Sequence, residues 1–326
     1  MLSVDLYYRL LPDEAAEPVL KNNLIRDLSA IESEKSIQQA ARSLGLSYRH
    51  LWGRIEAAET LIGQKLIVRE QGRPARLTPL AMKLLWAERS VRARNAMELT
   101  RIRAELNHAY ATACDPDATI IRIMGCYDSR LVCLQRHAQE QKILLDLRFN
   151  TSRQGLEALK AGDCDIAGFN FPSDGTPNGA AAKLYSQLID PDGMEGCLFC
   201  VRRQGLALKP SLEGSITCLK DVVEKKIPWV GRAPGTGTSV LTQEYLHKEG
   251  LVLKDLNLSS IEPSHLAVAT AIAAGNGEAG MCLETAAAAS KLVFVPVASE
   301  DYWLIWRKET FAEPEDRRRL ETLLAI

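Results

Sequence analysis

The 326-residue sequence predicts a chain in three parts: a small helical unit with a helix-turn-helix, one long helix, and a larger α/β unit of two lobes. Three observations predict it. The run from Ser36 to Arg54 reads as helix, tight turn and helix. No Gly or Pro interrupts the chain between Pro79 and Pro116. From Thr119 onward, short β-branched runs alternate with helices of about ten residues, the pattern of a mostly parallel sheet.

The helix-turn-helix is spelled out residue by residue. Ser36 is an N-cap, with Gln39 placed to complete a capping box. Ala40, Ala41 and Leu44 make a small apolar face for close helix crossing. Gly45 supplies the positive φ that ends the helix, and Leu46 plugs the turn. Ser47 caps the second helix, which turns Tyr48, Arg49, His50 and Arg54 outward and Leu51 and Ile55 inward. Aromatic, cationic and polar groups on the first turns of such a helix suit the edges of bases in a major groove. Ile67-Val68-Arg69 and Arg76-Leu77-Thr78 read as strands joined by the turn Gln71-Gly72-Arg73-Pro74. That hairpin is a wing, with Arg69, Arg73 and Arg76 placed for phosphates. The DNA-reading residues are therefore expected at Ser36, Gln38, Ser47, Tyr48, Arg49, His50, Arg54, Arg69, Arg73 and Arg76. Ahead of the motif, Val4–Leu11 reads as an arm or strand, and Leu20–Ile31 as a first helix.

Here the chain resembles the winged helix-turn-helix shared by LysR-type and molybdate-responsive ModE-type regulators. The matching words are Ser-Ile-Gln-Gln-Ala-Ala-Arg-Ser-Leu-Gly-Leu-Ser, Leu-Ile-Gly-Gln-Lys-Leu-Ile-Val-Arg and Ala-Arg-Leu-Thr-Pro-Leu-Ala. Charge agrees with DNA as a partner. Between Leu20 and Thr112 there are 16 Lys and Arg against 9 Asp and Glu, in a chain whose formal net charge is −1. The basic excess is thus local, enough to steer one domain to DNA.

Pro79 opens the long helix, where a missing amide is harmless. Leu84, Val91, Leu99, Ile102 and Leu106 recur at steps that make an apolar stripe. About 30 residues of helix run roughly 45 Å, too long to bury on one small domain. The resemblance implies a linker helix pairing with a second chain, giving a homodimer or tetramer on a pseudo-palindromic operator.

The remainder resembles a type 2 periplasmic-binding-protein-like effector domain, most closely the molybdate-type version. The words are Gly162-Asp-Cys-Asp-Ile-Ala-Gly168, Trp229-Val-Gly-Arg-Ala-Pro-Gly-Thr-Gly-Thr-Ser239, Ser264-His-Leu-Ala-Val-Ala and Gly275-Asn-Gly-Glu-Ala-Gly-Met281. Such a fold implies two α/β lobes joined by crossing strands, with ligand between them. The expected divisions are 1–78 for the winged helix-turn-helix, 79–114 for the linker and 115–326 for the effector domain. Its first lobe takes about 118–195 and 298–326, its second 196–297.

The loop Arg232–Ser239 lies between a strand and a helix, where glycines, hydroxyls and a helix N-terminus favour an anion. Expected ligand contacts are Arg232, Thr236, Gly237, Thr238, Ser239, Ser264 and His265 on one side. Facing them are Asp128, Ser129, Thr151, Ser152 and Asn170. The sequence departs from the molybdate pattern. Gly125-Cys-Tyr-Asp128 replaces Gly-Ser-His-Asp, Ser239 replaces an arginine, and Phe169-Asn-Phe171 adds aromatic surface. A compact oxyanion such as molybdate or tungstate and a small organic acid both remain open as effectors.

Other classes find less support. Cys197-Leu-Phe-Cys200 has metal spacing, but positions i and i+3 of a strand diverge and no second pair stands nearby. No nucleophile elbow or paired carboxylates point to an enzyme, and no cofactor is expected. The eight scattered cysteines, the absence of a long apolar run and Met1–Arg9, which lacks signal-peptide regions, favour the cytoplasm without membrane contact. The rival reading is a cytoplasmic solute-binding or molybdate-delivery protein whose N-terminal domain contacts proteins.

Overall fold

The structure, a computed structural model, describes residues 23–68, 74–114, 120–141, 143–173 and 185–325. Two compact units meet in the chain between Arg92 and Ala93.

The first unit is built from α1 (Asn23–Glu34), α2 (Ile37–Ser43), α3 (Tyr48–Ile62) and the antiparallel pair β1 (Ile67–Val68) and β2 (Arg76–Leu77). Leu24, Leu28 and Ile31 of α1 bury against Ala40, Ala41, Leu51, Ile55 and Ala58. The small residues let the helices approach. Ser36 Oγ accepts from Gln39 N at 3.3 Å, and Ser47 Oγ accepts from His50 N at 3.2 Å. Gly45 has φ +69°, which lets Leu46 N reach back to Ala41 O at 2.8 Å. The buried Glu59 carboxylate ties α3 to the hairpin by accepting from Leu66 N at 2.8 Å and Lys65 Nζ at 2.6 Å. Thr78 Oγ1 accepts from Ala81 N at 3.2 Å and starts α4 (Pro79–Cys114), a single 36-residue helix. The expected arm Val4–Leu11 and the wing residues Arg69 and Arg73 lie outside the described residues.

The second unit holds one eight-stranded sheet in the order β4-β3-β5-β10-β6-β9-β7-β8. Strands β3 (Ile120–Gly125), β4 (Leu144–Phe149) and β5 (Ile166–Pro172) pair in parallel, with α5 (Ser129–Glu140) and α6 (Ser152–Ala161) between them in sequence. At the other end β7 (Pro228–Arg232), β8 (Asn257–Glu262) and β9 (Ala279–Leu283) are also parallel. Two 15-residue strands, β6 (Met194–Leu208) and β10 (Val293–Arg307), run antiparallel to each other through the middle. Four of the seven pairings are parallel, as expected of a mostly parallel sheet; the crossing strands run antiparallel to β5, to each other and to β9. Each end has its own core, one around Ile123, Leu131, Leu147 and Tyr302, the other around Leu206, Trp229, Leu246 and Met281. These are the two lobes.

Strand β6 packs on the first-lobe core through Cys200 and pairs with β9 from Gln204, so the crossing falls beyond residue 195. Polar residues such as Arg202, Gln204, Ser299 and Glu300 continue β6 and β10 across the lobes. A bulge opposite Tyr302 and Trp303 makes Phe199 an extra residue and shifts the alternation by one. Cys197 and Cys200 therefore do not diverge but both touch the first-lobe core. Both thiols are free. Burial pushes both up.

Tyr302 is fully buried, and its hydroxyl donates to Cys126 O at 2.9 Å. Gly125 and Gly168 make room for it: a Cβ on either would stand 2.6 Å and 2.3 Å from that hydroxyl oxygen. Helices α7 (Leu219–Glu224), α8 (Gly237–Lys248), α9 (His265–Ala274), α10 (Glu284–Ala289) and α11 (Pro314–Leu324) complete the unit.

Candidate functional site

On the first unit, Gln38, Ser47, Tyr48, Arg49 and His50 are exposed, and Ser36 is partly so. They cluster at the N-termini of α2 and α3. Arg76 on β2 is exposed as well. Arg54 departs from expectation. It folds back onto α1, where its Nη2 lies 2.9 Å from Asp27 Oδ2, a carboxylate only 2 % exposed. A buried carboxylate beside α3 draws the guanidinium inward, so Arg54 braces the helices instead of facing outward. Burial lifts the Asp27 carboxyl above its ordinary value despite the attraction of Arg54.

Between the lobes, the crossing strands carry a buried polar network. On β6 the side chains of Arg202 and Gln204 are followed by Glu300 on β10. Gln204 Nε2 donates to Glu300 Oε2 at 2.7 Å, and Asn170 Nδ2 donates to the same oxygen at 2.9 Å. Ser152 Oγ donates to Asn170 Oδ1 at 2.8 Å. Arg202 lies 2.5 Å from Glu300 and 3.3 Å from Asp128, with its guanidinium 4.5 Å from the centre of the Tyr302 ring. Burial opposes the Arg202 charge, but Glu300 and its neighbours outweigh it and hold the group protonated.

The second lobe faces this network with Arg232 and His265. Arg232 ends β7 and donates Nη1 to Glu262 O at 3.2 Å. Its Nε is buried without a hydrogen-bond partner, and no carboxylate pairs with it among the described residues. Desolvation pushes its pKa down to about 10, which leaves it cationic at neutral pH. Burial, then the charges of Arg232 and Arg202, push His265 well below the ordinary histidine value, so it is neutral there. Helix α8 points its N-terminus at the same place: a Cβ on Gly237 would come within 3.9 Å of Asn170 Nδ2. Thr238 and Ser239 in its first turn are buried.

Several expected contacts are otherwise engaged. Thr151 is exposed, and its hydroxyl forms the capping box of α6 with Gln154. Thr236 caps α8 and donates to Ala233 O at 2.8 Å. Ser264 caps α9 and donates to Ala93 O at 3.3 Å. Asp128 is a counter-ion of Arg202, not a donor to an anion. Ser129 opens α5. Ser152, Asn170, Arg232, Gly237, Thr238, Ser239 and His265 gather around the cleft. Arg202, Gln204, Glu300 and Tyr302 were missed. Their signal was the polar run Arg202-Arg203-Gln204 inside a long strand, in which Arg202 and Gln204 are buried and Arg203 is exposed. Surface depressions lined by Lys160, Asp190 and Arg307, and by Met97, Met124 and Phe149, contain none of the expected residues. Among the described residues no group of three or more His, Cys, Asp or Glu is placed to hold a metal ion. No helix there is long and apolar enough to cross a membrane.

The chain thus joins a helix-turn-helix through one long helix to a two-lobed α/β domain. Residues 135–324 match the PBP superfamily domain, and residues 23–82 match the bacterial regulatory helix-turn-helix protein, lysR family. The chain belongs to the PBP superfamily and carries, ahead of that domain, a segment that matches the lysR-family helix-turn-helix. It is 25% identical over 199 residues to the uncharacterized protein YvgK of Bacillus subtilis (strain 168), an alignment covering 60% of this chain and 64% of that protein. Among solved structures it is similar to CbnR, a LysR family transcriptional regulator, at 16% identity and TM-score 0.43, over 93% of this chain and 100% of that one. A probable transcriptional regulator, PA0477 from Pseudomonas aeruginosa, is similar at 15% identity and TM-score 0.45, over 94% and 97%.

Proposed function

We propose that the chain is a cytoplasmic, DNA-binding transcription regulator controlled by a small anionic group held between its lobes. The observation that carries the ligand half is Arg232, a guanidinium with a buried, unpartnered Nε and no carboxylate beside it. A charge left unpaired in a partly buried cleft costs stability unless a ligand or water completes it. The N-terminus of α8 adds positive potential from the same side. DNA recognition falls to Gln38, Tyr48, Arg49 and His50, with Arg76 and the hairpin tip on phosphates. Helix α4 exposes Val91, Leu106 and Tyr110, and this apolar stripe suits pairing with a second copy.

Selection from a random pool of duplexes tests the DNA half. Inverted repeats should be enriched by the full chain and not by Arg49→Ala. A pool that emerges unenriched overturns the reading.

A further inference from the structure

The polar groups left open in the cleft define a ligand class narrower than "anion". Two carboxylates, Asp128 and Glu300, face the single guanidinium of Arg202. That leaves one negative charge in excess on the first-lobe side of the cleft. Arg232 supplies one positive charge on the second-lobe side, and His265 contributes none. The cleft is therefore polarised across its width and neutral in sum.

Two of the open hydrogen-bonding atoms, one on each side, follow the same polarity. Gln204 is only 4% exposed, and its Oε1 is buried with no partner. The amide cannot be turned to change this, because the Glu300 carboxylate, which pairs with Arg202, accepts from Nε2 at 2.7 Å. The open atom is thus an acceptor. It calls for a ligand donor. On the other side the open atom of Arg232 is Nε, a donor, which calls for a ligand acceptor. A tetrahedral dianion has acceptors only. It would satisfy Arg232, leave Gln204 Oε1 stranded, and bring two negative charges towards Asp128 and Glu300.

We infer that the effector is a small amino-acid zwitterion, its carboxylate on Arg232 and the first turn of α8, its ammonium towards Gln204 and Glu300. This rests on the proposed anion site and specifies the other end of the ligand. A zwitterion keeps the cleft neutral and uses Gln204 Oε1 and Arg232 Nε; the other buried cleft atoms without a hydrogen-bond partner are Arg202 Nε, Glu300 Oε1 and His265 Nδ1.

Thermal unfolding and titration calorimetry of the full chain test it, with the common amino acids, their deaminated acids (acetate for glycine, propionate for alanine), molybdate and sulfate as probes. An amino acid should raise the melting temperature, and its deaminated acid should bind at least several-fold more weakly. Arg232→Gln should lose about tenfold or more in affinity for it, with partial rescue by Arg232→Lys. Because the deaminated acids are compared on the natural chain, the inference does not depend on a variant's folding. Binding of molybdate or sulfate in preference, lost in Arg232→Gln, overturns the zwitterion and leaves the anion site standing. Amino-acid binding untouched by Arg232→Gln, or no response to any probe, overturns both.

Discussion

Arg94 on α4 grips Glu262 with both arms of its guanidinium: Nε donates to Oε2 at 2.7 Å and Nη2 to Oε1 at 2.6 Å. Glu262 is 1% exposed and ends β8, and its carbonyl is the acceptor for Arg232. One residue thus touches α4 with its side chain and Arg232 with its backbone. Glu262→Gln should lower stability by about 1.5–3 kcal/mol, the range for hydrogen bonds to charged groups, as read by urea unfolding. Arg94→Ala should cost a similar amount by stranding a buried carboxylate. An unchanged unfolding midpoint in both would show the pair to be incidental.

Arg49 and Arg54 sit five residues apart and should behave oppositely. Arg49→Ala should weaken binding to a selected duplex by about 1–3 kcal/mol without altering the melting temperature. Arg54→Ala should lower the melting temperature, because Asp27 loses its ion-pair partner. Equal effects of the two on both measurements would contradict the assignment.

Asp27 predicts a pH dependence of known sign. Its folded pKa is raised above the reference value of 3.8, so the folded chain holds that proton more tightly than the unfolded one. The stability this contributes is complete below 3.8 and is lost as pH rises through the folded pKa. Asp27→Asn escapes the loss. Urea unfolding of both proteins across acidic to neutral pH should show the variant gaining on the natural chain as pH rises. A difference that stays flat, or runs the other way, refutes it.

The stripe on α4 predicts assembly. Light scattering of the full chain should give at least a dimer mass, and Leu106→Glu, at an exposed position in the stripe, should shift it towards monomer. The change should leave helical content intact. A monomer mass for the natural chain at micromolar concentration would rule out pairing through this face.

Much of this was legible because it is local. Ser36, Gly45 and Ser47 declare caps and a turn, and their hydrogen bonds form within three to five residues. Arg232 announced itself by its loop. What escaped depends on partners far away in sequence. Arg202 and Gln204 look like the polar end of a strand until Glu300, some hundred residues on, is placed opposite them. Arg54 reads as outward by periodicity, and only the burial of Asp27 turns it in. Strand β8 has mostly exposed side chains, which leaves no apolar alternation in its sequence.

The phenol of Tyr302, seated where Gly125 and Gly168 have no side chains, pins β10 to the first lobe like a rivet through two plates. Up to that point the strand cannot slide or roll without dragging β3 and β5 along. The next irregularity in its pairing lies between Pro296 and Ala298, on the second-lobe side. An alanine at Gly168 would loosen this anchor by pressing its methyl group against the phenol oxygen.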